Sequence, residues 1–150
     1  MRLAIDAGNS GIKYGLFDNH QLLFNGKLDK GESIKSTISK KNLDKVSTII
    51  SCSVLNDLNI PGLPNVNHLL IDKDSKFPFP IHYKSLETLG IDRIVACSGA
   101  YSDKTDLLII DAGSCITYDF IQHGEGYFGG AISPGIEMRF RSMNNFTDKL

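Results

Sequence analysis

The chain has 150 residues, of which 41% are hydrophobic and 22% are charged. This is the composition of a globular protein rather than of a disordered or collagen-like chain. The formal net charge is only -1 and the lysines are scattered, so nothing in the charge pattern indicates nucleic acid or a membrane surface as a partner. No secretory signal precedes Asp6, and no apolar run reaches about 18 residues. We therefore expect a cytoplasmic protein.

The cysteines and histidines do not form a recognisable metal or disulfide pattern. The three cysteines, Cys52, Cys97 and Cys115, are an odd set without CxxC spacing, which argues against a disulfide framework and against a structural zinc site. The four histidines are equally dispersed. We expect reduced thiols and structural or surface histidines.

The first 28 residues predict an antiparallel meander. Residues 2–6 have the pattern of a short buried strand that ends in a carboxylate. A Gly-Asn-Ser-Gly turn leads to a strand at residues 12–17, and a tight reversal leads to a third strand at residues 21–28.

The rest of the chain predicts alternating helices and strands. A short amphipathic helix is expected at residues 33–41 with Ser33 as its N-cap. Strands are expected at residues 46–50 and 68–71, an extended loop at 77–80, a helix at 92–101, and a fully buried strand at 107–110 that runs into Asp111. This order predicts an α/β protein with a ribonuclease-H-like, or actin-like ATPase, fold, in which helices flank a mixed sheet.

An internal repeat indicates two related domains. Residues 12–28 align without a gap to residues 116–132, with four identities, and each stretch follows an Asp-Ala-Gly turn. We predict a first domain at residues 1–110 and the beginning of a second at 111–150. Asp111 follows Asp6 by 105 residues, but only 40 residues run from Asp111 to the last one. We therefore expect an incomplete second domain with an unpaired sheet edge and an uncovered face, so that the chain is a fragment or another chain supplies the remainder.

The motif Asp-Ala-Gly-Asn-Ser that begins at Asp6 suits the binding of a polyphosphate. Gly8 has no Cβ to obstruct a phosphate, and the amides of the turn point at that phosphate. Asn9, Ser10 and Lys13 add donors, and Asp6 can hold Mg²⁺ directly or through water. The alternative is an ordinary hairpin in which Asp6 caps a turn, but the second Asp-Ala-Gly favours phosphate. No GxxxxGK[ST] loop occurs in the sequence.

Two further motifs carry candidate chemistry. In Gly90-Ile91-Asp92-Arg93, a carboxylate and a guanidinium adjoin at the start of a predicted helix. Asp92 can accept a proton from a hydroxyl that attacks the γ-phosphate, and Arg93 can hold a substrate carboxylate or a phosphoryl group. The alternative is a helix-dipole partner beside a surface charge. The glycine-rich residues 129–135 either admit adenine or a phosphate to the backbone or form a close packing turn.

Together the motifs resemble the type III pantothenate kinases, which phosphorylate pantothenate in the first step of coenzyme A synthesis. The resemblance covers the whole chain. It rests on four blocks in order: DAGNSGIK at residues 6–13, TLGIDR at 88–93, DAGSCITYD at 111–119 and GGAISPG at 129–135.

This resemblance implies the roles of individual residues. The residues implied to bind ATP are Asp6, Ala7, Gly8, Asn9, Ser10, Gly11, Ile12, Lys13 and Ser114. Asp6 would lie near the catalytic Mg²⁺, Asp92 would be the general base, and Asp111 would hold a monovalent cation, K⁺ or NH₄⁺. The residues implied to line the pantothenate pocket are Tyr83, Gly90, Ile91, Asp92 and Arg93. Ser114 and Cys115 stand where the family usually has threonine and alanine.

The family members are longer than this chain and form homodimers through their second domains. We therefore expect the 150-residue chain to be inactive alone. A non-catalytic relative, such as the transcription accessory factors that the family resembles, is disfavoured because Asp92 and Arg93 are kept together. An actin-like assembly protein would not explain TLGIDR, and a sugar or acetate kinase is more distant still.

Overall fold

The computed structural model describes residues 1–8, 11–28, 32–53 and 65–148. The chain forms two compact units, Met1–Ser75 and Lys76–Leu150, which we describe separately. The domain boundary predicted between residues 110 and 111 stays a prediction.

The first unit contains a five-stranded mixed sheet. Its strands are β1 (Arg2–Gly8), β2 (Gly11–Asp18), β3 (Gln21–Leu28), β4 (Thr48–Ser53) and β5 (Asn67–Ile71). Their order across the sheet is β3-β2-β1-β4-β5. The β1–β2 and β2–β3 pairs are antiparallel, whereas β4 runs parallel to both β1 and β5. The predicted meander is thus confirmed, and the strand predicted at residues 46–50 begins two residues later.

Asp6 does not end its strand, contrary to the prediction. β1 continues to Gly8 because Asp6 pairs with Lys13 and Gly8 pairs with Gly11 across the hairpin. Alternate residues of the strand, Leu3, Ile5 and Ala7, are buried in the core, so Asp6 lies on the opposite face of the sheet.

The single helix predicted at residues 33–41 is also wrong. The structure has two short helices, α1 (Ile34–Thr37) and α2 (Lys40–Leu43), separated by Ile38 with extended backbone. The predicted N-cap is confirmed, since Ser33 Oγ accepts from the Ser36 amide at 3.3 Å. Hydroxyls also compete for the backbone, because Ser36 Oγ and Thr37 Oγ1 both donate to the Ser33 carbonyl. The break lets Ile38 reach the core, where only 2% of it stays exposed.

The second unit contains a three-stranded antiparallel sheet. Its elements are a 3₁₀ turn (Leu86–Thr88), α3 (Ile91–Ala100), β6 (Leu107–Ala112), β7 (Cys115–Gln122), β8 (Gly126–Pro134) and α4 (Ile136–Phe146). The strands lie in the order β6-β7-β8, and α3 contacts β6 and β7. The helix and strand predicted at residues 92–101 and 107–110 are both confirmed in type and position.

The prediction that residues 107–110 form a fully buried strand is wrong. Leu108 is 63% exposed and Ile110 is 56% exposed. Leu108 pairs with Phe120, which is also exposed, whereas the next residues of β7, Asp119 and Ile121, are buried on the other face. Within the described residues, this face of the sheet is therefore exposed.

The two units repeat the same hairpin. Asp6 pairs with Lys13 in the first unit, and Asp111 pairs with Thr117 in the second. In the next strand pair of each unit, the register between β2 and β3 shifts between Leu16 and Phe17, and the register between β7 and β8 shifts between Phe120 and Ile121. These positions are separated by the same 104 residues that separate Ile12 from Ile116, so the irregularity is repeated at equivalent places.

The gapless alignment of the repeat is wrong beyond the turn. Leu16 lies opposite Phe24, but its counterpart Phe120 lies opposite Gly129, one residue further than the alignment requires. The turn between β7 and β8 is therefore one residue longer than the turn between β2 and β3. As a result, the matches at Phe24 and Gly26 are out of register, while those at Ile12 and Tyr14 are kept.

Candidate active site

The phosphate motif of the first unit lies on adjacent strands of its sheet. Asp6 on β1 is partly buried, and its neighbour on β4, Cys52, directs its Sγ to Asp6 Oδ1 at 3.6 Å. Lys13, opposite Asp6 on β2, is exposed. Ala7 is fully buried, so it belongs to the core of the sheet.

The glycines of this motif serve different purposes. Gly11 has a φ of +124°, a conformation that favours glycine. A Cβ on Gly8, by contrast, would meet no described atom within 4 Å. Packing against the described residues therefore does not require a glycine at position 8, and among those residues it leaves room for a ligand. Asn9 and Ser10, predicted to bind ATP, lie outside the described residues.

In the second unit, Asp92 occupies the start of α3. Gly90 is the N-cap residue and contributes no side-chain hydrogen bond. Asp92 is the acidic residue of the first turn. Its side chain is exposed, and a Cβ on Gly90 would collide with Asp92 Oδ1. Gly90 thus makes room for the carboxylate, and the helix N-terminus favours its negative charge. An exposed carboxylate at this position can accept a proton from a bound hydroxyl.

The neighbouring Arg93 points into the unit instead of into solvent. Only 6% of it is exposed, and its guanidinium forms an ion pair with the Asp119 carboxylate. The distance from Arg93 Nη2 to Asp119 Oδ1 is 2.6 Å, and Nε lies 3.0 Å and 3.2 Å from Oδ1 and Oδ2. The alternative interpretation of Arg93 as a surface charge is therefore wrong.

A tyrosine completes this buried cluster. Tyr127 is fully buried, and its hydroxyl donates to Asp119 Oδ1 at 2.7 Å. Burial and the hydrogen bond to Asp119 raise the pKa of Tyr127 well above its ordinary range, so the hydroxyl remains a donor. Burial likewise raises the pKa of the nearby Cys97 thiol to about 12. Two charges share this apolar site only because they neutralise each other.

Sequence reasoning assigned no role to Asp119 or Tyr127. Asp119 was only the last letter of the DAGSCITYD block. One signal was available, because Asp119 shares a strand face with Ile121, and a charged residue on a buried face needs a partner. Arg93, 26 residues away on a helix, could be matched to it only with the tertiary structure.

Tyr83, predicted to line a substrate pocket, lies beside this cluster. Its ring centroid is 6.4 Å from that of Tyr127. Gly129 adopts a φ of +89°, and a Cβ there would meet the Tyr83 ring carbons at 2.5 and 2.6 Å. A Cβ on Gly130 would collide with the Tyr118 carbonyl. Of the two interpretations left open for residues 129–135, these contacts support close packing, but both glycines lie within strand β8 and not in a turn.

The second Asp-Ala-Gly turn is exposed. Asp111 and Ser114 both have exposed side chains, and the turn is closed by a hydrogen bond from the Gly113 amide to the Cys115 carbonyl at 2.9 Å. The Gly135 amide donates to the Ser114 carbonyl at 3.0 Å, which ties the start of α4 to this turn.

A metal ion would find few protein ligands here. In the part of the chain that the structure describes, no three His, Cys, Asp or Glu residues are grouped so as to hold one. Asp6 alone nevertheless suits Mg²⁺, which takes one or two carboxylates and otherwise phosphate oxygens and water. Over the same residues, no helix is both long enough and apolar enough to cross a membrane.

Comparison with known proteins defines the class to which this arrangement belongs. The profile of the type III pantothenate kinase family matches residues 2–150. The chain belongs to this family. It is 40% identical to the type III pantothenate kinase of Flavobacterium psychrophilum and 38% identical to that of Phocaeicola vulgatus. Both matches include 100% of this chain but only 65% and 64% of the relatives' lengths.

A solved structure is similar as well. It is described as a Baf family transcriptional activator from Campylobacter jejuni, and it matches with a TM-score of 0.62 and 28% sequence identity. The match covers 99% of this chain and 62% of that one. Its description corresponds to the transcription-related alternative, whereas the relatives named above are kinases.

Proposed function

We propose that this chain is the part of a type III pantothenate kinase that carries the catalytic base, and that the enzyme transfers the γ-phosphoryl group of ATP to the pantothenate hydroxyl. The product would be 4'-phosphopantothenate, in the first step of coenzyme A synthesis. One observation carries the proposal beyond family membership: Asp92 is exposed at the N-terminus of α3, while the adjacent Arg93 is held by Asp119.

The residues of the second unit would bind and activate pantothenate. Asp92 accepts the proton of the attacking hydroxyl, a role that its exposure and helix position support. Arg93 holds an anionic group, and Tyr83 lines the pocket with the backbone of Gly90 and Ile91. Gly90 leaves room for the Asp92 carboxylate. The base and the pocket backbone would lie together at the first turn of α3.

The two Asp-Ala-Gly motifs would bind the nucleotide. Residues 6–13 cradle phosphates, a role that the room left at Gly8 among the described residues supports, and the Ser114 hydroxyl adds a phosphate contact. Asp6 would hold Mg²⁺, and Asp111 would hold K⁺ or NH₄⁺. Bound cations neutralise the charge that develops on the phosphoryl group.

The fold proposed for this enzyme is ribonuclease-H-like. The strand order β3-β2-β1-β4-β5, with β2 antiparallel to its neighbours, supports it, as does the repeat of the hairpin in the second unit. A cytoplasmic homodimer stays part of the proposal.

The test is titration calorimetry of the chain with pantothenate and with a non-hydrolysable ATP analogue, beside a coupled assay of ATP consumption. We expect pantothenate to bind and turnover to be absent, since the chain spans less than two thirds of its relatives. Asp92→Asn keeps the shape of the side chain but removes the base, so it should leave pantothenate affinity within about twofold. Failure of both ligands to bind at millimolar concentration would contradict the proposal. Pantothenate-dependent turnover would instead overturn the expectation that this chain is inactive alone.

A further inference from the structure

The buried ion pair uses one edge of the Arg93 guanidinium. Asp119 accepts from Nε and Nη2, and Nη2 also lies 3.5 Å from the Tyr118 carbonyl. Among the described residues, none accepts a hydrogen bond from Nη1. No buried polar side-chain atom of that part of the chain lacks a partner, so Nη1 retains access to solvent. The guanidinium is therefore fixed by one edge and available at the other.

The Asp119 carboxylate is fixed in turn from a different strand. It lies on β7 with 1% exposure, and the Tyr127 hydroxyl on β8 donates to the same Oδ1 that Arg93 Nη2 contacts. Two strands and a helix thus determine where the guanidinium lies.

From this arrangement we propose that Asp119 and Tyr127 are positioning residues: they hold Arg93 so that its Nη1 edge binds the carboxylate of pantothenate. This inference rests on the proposed function. Its physical basis is preorganisation. A free arginine side chain loses rotamer entropy when it is immobilised, and here the fold has already removed that freedom before the ligand arrives. Neither Asp119 nor Tyr127 needs to touch the substrate.

The experiment compares pantothenate with pantothenol, in which a neutral alcohol replaces the carboxylate. Calorimetric titrations of both ligands are made with the wild-type chain and with Tyr127→Phe, which keeps the buried ring and deletes the hydroxyl. We expect pantothenate affinity to fall roughly fivefold to tenfold, less than for the direct loss of a hydrogen bond to a charged group, because Tyr127 acts on the ligand only through Arg93. Pantothenol affinity should be unchanged. Asp119→Asn should weaken pantothenate binding further, by at least about tenfold.

The control is Tyr101→Phe. Tyr101 packs on Phe79, as Tyr127 does, with centroid distances of 5.3 and 6.3 Å. This variant should bind both ligands like the wild type. If Asp119→Asn fails to fold, Tyr127→Phe decides alone.

The selective loss of pantothenate affinity over pantothenol affinity in Tyr127→Phe separates a positioning role from a structural one. A folded Tyr127→Phe that binds both ligands like the wild type, or loses both equally, overturns the inference and leaves the proposed function intact. A wild-type chain that binds neither pantothenate nor the ATP analogue contradicts the proposed function, and the inference falls with it.

Discussion

Replacing Tyr127 by phenylalanine should destabilise the second unit by an amount that the geometry constrains. The change deletes one hydroxyl whose oxygen lies 2.7 Å from Asp119 Oδ1, in a site where Tyr127 is 0% and Asp119 is 1% exposed. The aromatic ring remains in place against Phe79. The perturbation is therefore the loss of one buried hydrogen bond to a charged acceptor, with little change in packing.

The expected cost follows from what is left behind. Hydrogen bonds to charged groups contribute about 1.5–3 kcal/mol. Asp119 Oδ1 still accepts hydrogen bonds from Arg93 Nη2 and Nε, so it keeps partners in the variant. We therefore expect Tyr127→Phe to lower the free energy of unfolding by about 1.5 kcal/mol, the lower end of that range. Asp119→Asn should cost more, about 3–5 kcal/mol, because it leaves the Arg93 charge buried and unpaired.

Urea unfolding followed by circular dichroism measures these differences at pH 7. Tyr101→Phe is again the matched control, and it should change the free energy of unfolding by less than about 0.5 kcal/mol. Equal costs for Tyr127→Phe and Tyr101→Phe would refute the hydrogen bond as a source of stability. A cost for Asp119→Asn below that of Tyr127→Phe would refute the description of Arg93 as a charge that depends on Asp119.

Three further outcomes follow from the second unit. Gly129→Ala should cost about 1–2 kcal/mol more in urea unfolding than Gly124→Ala, since both glycines have positive φ but only the first Cβ would meet the Tyr83 ring; equal costs would contradict this. The exposed Cys115 should react rapidly with a thiol reagent at pH 8, whereas Cys97, fully buried and with a pKa of about 12, should react only on unfolding. Above pH 9 the unfolded state loses the Cys97 proton first, so this thiol alone should lower the free energy of unfolding by about 1.4 kcal/mol per pH unit toward pH 12, and the raised pKa of Tyr127 should add a further fall above about pH 10. Cys97→Ala should make that decline shallower by the same amount, and an unchanged slope would contradict the assignment.

Local sequence patterns predicted much of the fold. The strands and hairpins of the first 28 residues follow from alternating apolar residues and turn chemistry, and β3 lies at the predicted residues. The helix predicted at 33–41 failed for a tertiary reason, because the burial of Ile38 required extended backbone where local periodicity continued the helix. The burial expected at residues 107–110 failed for the opposite reason: the apolar pattern is present, but within the described residues nothing packs on that face.

The candidate site shows the same limit at the level of single residues. Asp92 and Arg93 are adjacent in the sequence, but neighbours on a helix point about 100° apart, so one is exposed and the other is buried. The sequence motif identifies the pair without revealing this division. The partner that draws Arg93 inward, Asp119, belongs to a strand paired with neighbours on both sides, and its charge is tolerated only because Arg93 and Tyr127 surround it. A substitution at any of the three should therefore change the other two, which makes them a single unit for mutagenesis even though the sequence separates them.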